Sequence, residues 1–375
     1  MSLSNRARGG VRAAADTGRR VRDSLADEPR AAVAAVVVMG ASLLAALAGF
    51  VLASPLTALP FALFLLSAGY GWVEHQELTA KALAFTTTVS TVLILLLITV
   101  YIFVEAIPVF RYESVVVAGV EVPAVRMFVE TRWEAVSSPI RYSMVPLIHG
   151  TLLVTLIATA VAGPLGVAAA LFLSEIAPSA VREVVKPGVE ILAGIPSIVY
   201  GFIGFTVLSP WASEQFRLVG QGTYLFVGVM VGLMALPTVV SVAEDALSSV
   251  PESMKSGSLA MGTTDWQTMT SITLPAAFSG VSAAVLLGVG RAIGETMAAT
   301  VMLRNVPRLT EPLYNVFYGQ GTLTSLIASN YGEADGLQLS ALFAAGVILF
   351  ITVLVLSIGS QYVEWRMRSK LGGDT

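Results

Sequence analysis

The chain has 375 residues, 55% of them hydrophobic and only 13% charged, with a mean hydropathy of +0.78. Soluble globular domains carry about 25% charged residues, so this composition describes a membrane protein. A net charge of −3 leaves no basic field for a phosphate backbone and argues against a nucleic-acid partner, while the absence of cysteine excludes disulfides, thiolate nucleophiles and cysteine metal sites. Two histidines, His75 and His149, are too few for a multi-histidine metal centre and read as boundary or packing residues.

Residues 1–30 form an arginine-rich polar tail. They lack the short basic region, single apolar run and small-residue cleavage site of a secretory signal, and read as a retained cytoplasmic segment. Two apolar runs follow, Ala31 to Ser54 and Leu56 to Trp72, interrupted at Pro55. They predict a helical hairpin, with a re-entrant second arm as the alternative. After a polar link at 73–82, a span is predicted over about 83–107. Its β-branched content does not argue for a strand, because a run this long and apolar satisfies its backbone in lipid as a helix. Residues 108–145 balance Arg111, Arg126, Arg132 and Arg141 against Glu113, Glu121, Glu130 and Glu134, and read as an external loop.

Further spans are predicted at His149 to Phe172, Glu190 to Leu208, 222–243, 276–302 and 337–360. The stretch from Ser174 to Gly188 reads as a polar link between two of them. In the sequence GIPSIVYGFIG, Gly194, Pro196, Gly201 and Gly204 interrupt regular helix at intervals, which fits either a packed kink or the lining of a cavity. Glu244 and Asp245 mark an aqueous boundary. Residues 246–274 form a cytoplasmic segment whose surface helix is expected to stop at Leu274-Pro275. Residues 304–336 are a second external connection. Tyr362, Trp365, Arg366, Arg368 and Lys370 read as an interface anchor and an inside mark. The sum is an all-α, polytopic bundle of eight helices in lipid, in the cell membrane, with both termini cytoplasmic.

Two groups of residues carry the candidate chemistry. Arg291 and Glu295 stand four apart within an apolar stretch, where ionised groups are costly and are paired, wetted or used. One helical turn separates them, so their side chains can meet on one face. The guanidinium fork suits an oxyanion, and the alternative is a structural ion pair. The second group is the polar segment ahead of them. Glu252, Lys255 and Asp265, with Met254, Met261 and Trp266, could form a patch gripped by another subunit. The chain has no GxxxxGK[ST] phosphate loop, so ATP, if it energises the process, binds elsewhere.

These stretches resemble a family. SGSLAMGTTDWQTMTSITLP at 256–275 is similar to the cytoplasmic coupling motif of ABC importer permeases, through its small-residue cluster, Gly262, Ile272, Leu274 and Pro275. FLSEIAPSAVREVVKPGVEILAGIPSIVYG at 172–201 and GRAIGETMAATVMLRN at 290–305 narrow the resemblance to phosphate importer permeases of the PstC type. The run from Phe128 to Trp133, followed by PLIHGTL from Pro146, looks like the start of the same core. The resemblance implies a type I importer core of six helices over 83–362, preceded by an extra apolar hairpin and link at 31–82 and followed by a cytoplasmic tail at 363–375. It implies a PstA-like partner permease, two PstB-like ATPases that use ATP with magnesium, and an external PstS-like phosphate-binding protein. No cofactor is expected on this chain itself. It assigns transport-linked or gating roles to Arg291 and Glu295, a pathway position to Pro196 and Ser197, and ATPase coupling to the segment holding Glu252, Lys255, Ser256, Gly257, Gly262, Asp265, Trp266, Leu274 and Pro275. Ser256 and Gly257 depart from the acidic residue and alanine usual at those places, and Gly257 weakens the local helix by about 1 kcal/mol. Importers of molybdate, tungstate or phosphonate share the coupling machinery, and a membrane sensor of phosphate status is the reading from another class.

Overall fold

A computed structural model of the chain describes residues 29–117, 119–135, 139–217 and 222–370, the side chains of 360 and 363–370 excepted. The tail at 1–28 and the side chains of Trp365, Arg366, Arg368 and Lys370, expected to anchor the chain at the interface, lie outside the described residues. The chain divides into two compact units, Met1–Tyr101 and Ile102–Thr375. Among the described residues six helices are long and apolar enough to cross a membrane, and two further candidates are helix pairs bent by 89° and 72°.

In the first unit, α1 (Arg30–Val51) and α2 (Ala58–Glu74) pack as a hairpin around a single 3-10 turn at Pro55–Thr57. Ser54 accepts from the Leu56 amide at 3.3 Å and Thr57 donates to the Ser54 carbonyl at 2.7 Å, so polar groups freed by the reversal are satisfied locally. α1 buries a narrow stripe of small and flexible residues, Ala32, Met39, Ser42 and Ala46, at helical spacing. α3 (Gln76–Tyr112) begins in this unit and ends in the second.

The second unit is built on α9 (Tyr224–Ser248), the most deeply buried of the spanning helices, which packs between α5 (Val145–Leu171) and α13 (Phe278–Ile293). Small residues make this approach possible. A Cβ on Gly228 or Gly232 would meet Ile157 or Val161 at 2.6 and 2.8 Å, so the backbones of α9 and α5 come nearer than any side chain would allow. α16 (Gly336–Lys370) packs on the end of α3. There the Ser340 hydroxyl accepts from the Val109 amide and donates to the Glu105 carbonyl, standing between two backbone groups beside Pro108.

The stretch read as an external loop is folded. Two short hairpins, β1 (Val115–Val117) with β2 (Val120–Val122) and β3 (Trp133–Glu134) with β4 (Arg141–Tyr142), flank α4 (Val125–Val129). They bury Met127, Tyr142, Met144 and the carboxylate of Glu113, which accepts from the Tyr142 amide at 3.0 Å.

Two predicted spans are broken. The polar link and the run from Glu190 to Leu208 are instead α6 (Ser179–Gly194), then a sharp bend, then α7 (Ser197–Ile203), a π-turn and α8 (Ser209–Phe216). The bend falls at Ile195 because a residue before proline is pushed out of the helical region, and Ile195 is extended (φ −68°, ψ 126°). The predicted span 276–302 is α13 and, after a break at 294–296, α14 (Met297–Met302). The surface helix, expected to stop at Leu274-Pro275, runs on to Ala276. Proline is tolerated in the first turn of the short helix α12 (Leu274–Ala276), and the 72° turn follows at Ala277. Glu244, expected at an aqueous boundary, is buried and held by Lys186 of α6 at 2.9 Å.

Candidate functional site

The break after Ile293 sets the geometry around Arg291 and Glu295. Gly294 ends α13 and Glu295 and Thr296 are non-helical, so the two charged residues do not share one continuous helix face. Among the described residues they form no ion pair. Glu295 instead accepts a hydrogen bond from the Ala298 amide at 3.0 Å, satisfying one of the donors left open at the start of α14. The carbonyl of Glu295 accepts from the Thr324 hydroxyl at 2.7 Å, at the start of α15 (Leu323–Asn330). Thr296 and Thr300 bond to nearby carbonyls, of Gly294 and Thr296. The Ala298, Thr324 and Thr296 bonds satisfy backbone and side-chain groups at the break, and the Thr300 bond lies within the first turn of α14.

Arg291 is exposed and faces a cleft of about 630 Å³ between α13 and α16. The walls are Leu287 and Gly290 of α13, Val353 and Ser357 of α16 and Thr238 of α9, and Arg291 is the charged residue among the described lining. A guanidinium at the wall of a mostly apolar cleft presents fork-like donors to an anion with little competition from neighbouring charge.

Pro196 and Ser197 open α7 directly after the 89° bend. The Tyr200 hydroxyl reaches back across that bend and donates to the Leu192 carbonyl at 3.0 Å, so a carbonyl at the end of α6 is not left open. α7 packs directly on α14. A Cβ on Gly201 would meet the Ala298 Cα at 2.8 Å, and one on Gly204 would run into Met302. Gly201 and Gly204 are therefore packing positions, whereas Gly194 faces open space. The two interrupted segments, one with Pro196 and Ser197 and one with Glu295, are thereby held side by side.

The polar segment forms a separate site. α10 (Glu252–Ala260) and α11 (Asp265–Thr268) are joined by a turn in which Gly262 takes φ +86°, a conformation that L side chains rarely adopt. Thr264 and Gln267 make a reciprocal capping box at the start of α11. Ser258, Thr263 and Thr268 hydroxyls lie 2.8–3.0 Å from one another and fasten the two helices together. A π-turn, Met269–Thr273, leads into Leu274 and Pro275. Outward, Trp266 is 67% and Met261 84% exposed, and Glu252, Ser256, Gly257 and Asp265 are exposed around them. Lys255 does the opposite: its ammonium turns inward onto Glu175, 2.7 Å away. Glu175, Lys255, Glu252, Asp265 and Trp266 border a cavity of about 360 Å³ between the segment and the end of α5.

Glu175, Tyr200 and Thr324 were not singled out by sequence. Glu175 stood in a link of mixed charge with no periodicity, and the other two act through hydroxyl groups that are common in any apolar helix.

The sequence pattern of the family described as binding-protein-dependent transport system inner membrane component matches residues 162–369, a stretch that contains both sites. The chain is 36% identical over 259 residues to the probable ABC transporter permease protein YqgH of Bacillus subtilis, covering 68% of this chain and 82% of that protein. It is 34% identical over 263 residues to the phosphate transport system permease protein PstC of Pasteurella multocida, covering 64% and 81%. Among solved structures, a bacterial alginate ABC transporter in complex with alginate pentasaccharide-bound periplasmic protein matches with a TM-score of 0.54 at 14% identity, over 79% of this chain and 97% of that one. That last likeness is one of fold.

Proposed function

Because this chain belongs to the family of binding-protein-dependent transport system inner membrane components, and is thus a transport subunit and not an enzyme, we propose that the ion it passes into the cell is inorganic phosphate. The observation that carries this reading is Arg291, an exposed guanidinium at the wall of the cleft between α13 and α16. The name of the relative from Pasteurella multocida points the same way.

A subunit of this kind works with an ATPase and a substrate-binding protein. In our reading these are two PstB-like ATPases on the cytoplasmic side, which bind and hydrolyse ATP with magnesium, and a PstS-like protein outside; a PstA-like permease completes the path within the lipid. The ATPases grip the outward face of α10 and α11, with Trp266 and Met261 as its apolar centre and Glu252, Ser256, Gly257 and Asp265 around them. Gly262, Leu274 and Pro275 set the turns that aim this face. Arg291 offers hydrogen bonds to phosphate oxygens during passage. Glu295 governs the break beside it, and Pro196 and Ser197 shape the adjoining segment. Both termini lie in the cytoplasm.

The test is uptake of labelled phosphate into membrane vesicles containing the complete complex, with and without ATP, beside an Arg291→Ala complex. The reading expects ATP-dependent accumulation by the wild type and loss of it in an Arg291→Ala complex that still assembles. Accumulation of molybdate, tungstate or a phosphonate in place of phosphate would overturn the substrate. Normal phosphate uptake by the Arg291→Ala complex would overturn the role of the guanidinium.

A further inference from the structure

α10 has no buried residue, so no hydrophobic core holds it to the bundle. Its polar connection is the pair between Lys255 Nζ and Glu175 Oε1 at 2.7 Å, the sole ion pair that residues 252–276 make among the described residues. Both side chains are largely shielded from water, at 13% and 15% exposure, and they lie eighty positions apart in sequence. Glu175 belongs to the π-turn Phe172–Ile176 that ends α5. It is oriented by the Ser174 hydroxyl, which donates to Glu175 Oε1 at 2.8 Å, and the Ser174 carbonyl is in turn held by Arg182 of α6 at 3.0 Å.

We propose that Glu175 is a positioning residue for transport: through Lys255 it makes α10 and the end of α5 move as one, so that displacement of the polar segment is delivered into the bundle. The proposal rests on the reading of 252–275 as the segment that receives the ATPase. The mechanical reasoning is direct. The hydroxyl cluster of Ser258, Thr263 and Thr268 joins α10 and α11 into one piece. At its α11 end that piece runs into the π-turn with its buried Met269 and Thr273; at its α10 end it is tied to the bundle by a charge pair that water screens poorly, and such a pair resists sliding where apolar contacts would permit it. α5 packs in turn on α9 and α13, and α13 carries Arg291. Removing one member leaves the other charge shielded and unpaired, which breaks the link without touching the outward face.

The experiment uses the complete complex in lipid vesicles and measures three quantities on each variant: ATPase subunits bound, ATP hydrolysed, and inorganic phosphate taken up. Glu175→Gln is expected to keep the ATPase bound while phosphate moved per ATP falls about tenfold, and the exchange Glu175→Lys with Lys255→Glu is expected to restore that ratio to within about twofold of wild type. A purely structural role would lower the amount of complex and leave the ratio unchanged, and that result overturns the proposal. If Glu175→Gln does not assemble, the exchange decides alone: assembly with a wild-type ratio supports the link, and assembly with a low ratio overturns it. Failure of the underlying reading looks different. In that case Trp266→Glu would leave the ATPase bound as in the wild type, whatever the ratio does in the Glu175 variants.

Discussion

The carboxylate of Glu295 accepts from the backbone amide of Ala298 at 3.0 Å, and this bond, in place of an ion pair with Arg291, defines the break between α13 and α14. A capping carboxylate can be replaced by an amide that still accepts a hydrogen bond, whereas its charge cannot. Glu295→Gln is therefore expected to leave the thermal unfolding midpoint of the purified complex nearly unchanged. Glu295→Ala loses the capping bond and destabilises by about 1 kcal/mol. If the charge governs opening, both lower phosphate uptake by about tenfold, and equal uptake by wild type and Glu295→Gln would assign this side chain to the cap alone.

Trp266 is 67% exposed on α11, so most of its side chain makes no contact within the chain. Large exposed aromatics at the centre of a docking face carry a disproportionate share of binding energy. Trp266→Ala is expected to weaken ATPase association by about 2 kcal/mol while the isolated permease unfolds as the wild type does. Co-purification at graded detergent-washing times, with a binding titration of the ATPase, checks this.

Gly201 and Gly194 make a matched pair. A Cβ at 201 meets the Ala298 Cα at 2.8 Å and Val301 Cβ at 3.3 Å, while a Cβ at 194 meets nothing within 4 Å. Gly201→Val is expected to destabilise the α7–α14 contact by about 1–3 kcal/mol through overpacking. Gly194→Ala is expected to be neutral or stabilising by up to about 1 kcal/mol, since alanine is the better helix former. Thermal unfolding of the two variants in one detergent separates the outcomes.

Glu113 lies just beyond α3 in the folded 113–144 region, and burial pushes its carboxyl above the ordinary value of 4.5, against the smaller opposing effects of the Tyr142 amide and Arg126. The folded state therefore holds this proton more tightly than the unfolded chain. Its contribution to stability is fully present below pH 4.5 and is lost as pH rises through the elevated folded value. Glu113→Gln keeps an acceptor for the Tyr142 amide and removes the ionisation. The variant is expected to be more stable than wild type at neutral pH and to lose this part of the pH dependence in unfolding titrations from pH 4 upward. A pH profile identical to wild type would exclude Glu113 as its source.

Much of the architecture is legible in the sequence. Hydropathy sums over some twenty residues, so the cost of placing a backbone and its side chains in lipid marks each span whatever its neighbours do. The hairpin around Pro55, the long helices and the polar segment all follow from such local terms. The residues of the Arg291 region were legible as well, because a charge in an apolar run is conspicuous. What the sequence could not settle was direction. Arg291 and Glu295 are one turn apart only if the helix continues, and the break is held by the nearby Ala298 amide together with Thr324 and the α7 glycines, which arrive from other parts of the chain. Lys255 reads as a surface cation until Glu175, eighty residues away, draws it inward. Composition and hydropathy thus determined that this chain is a bundle of apolar helices and where its charges fall along the sequence, while two of the predicted spans are bent helix pairs. Only the tertiary structure decided which of those charges face one another, because the choice between water, a backbone amide and a distant counter-ion is made by whichever partner packing brings within hydrogen-bond reach.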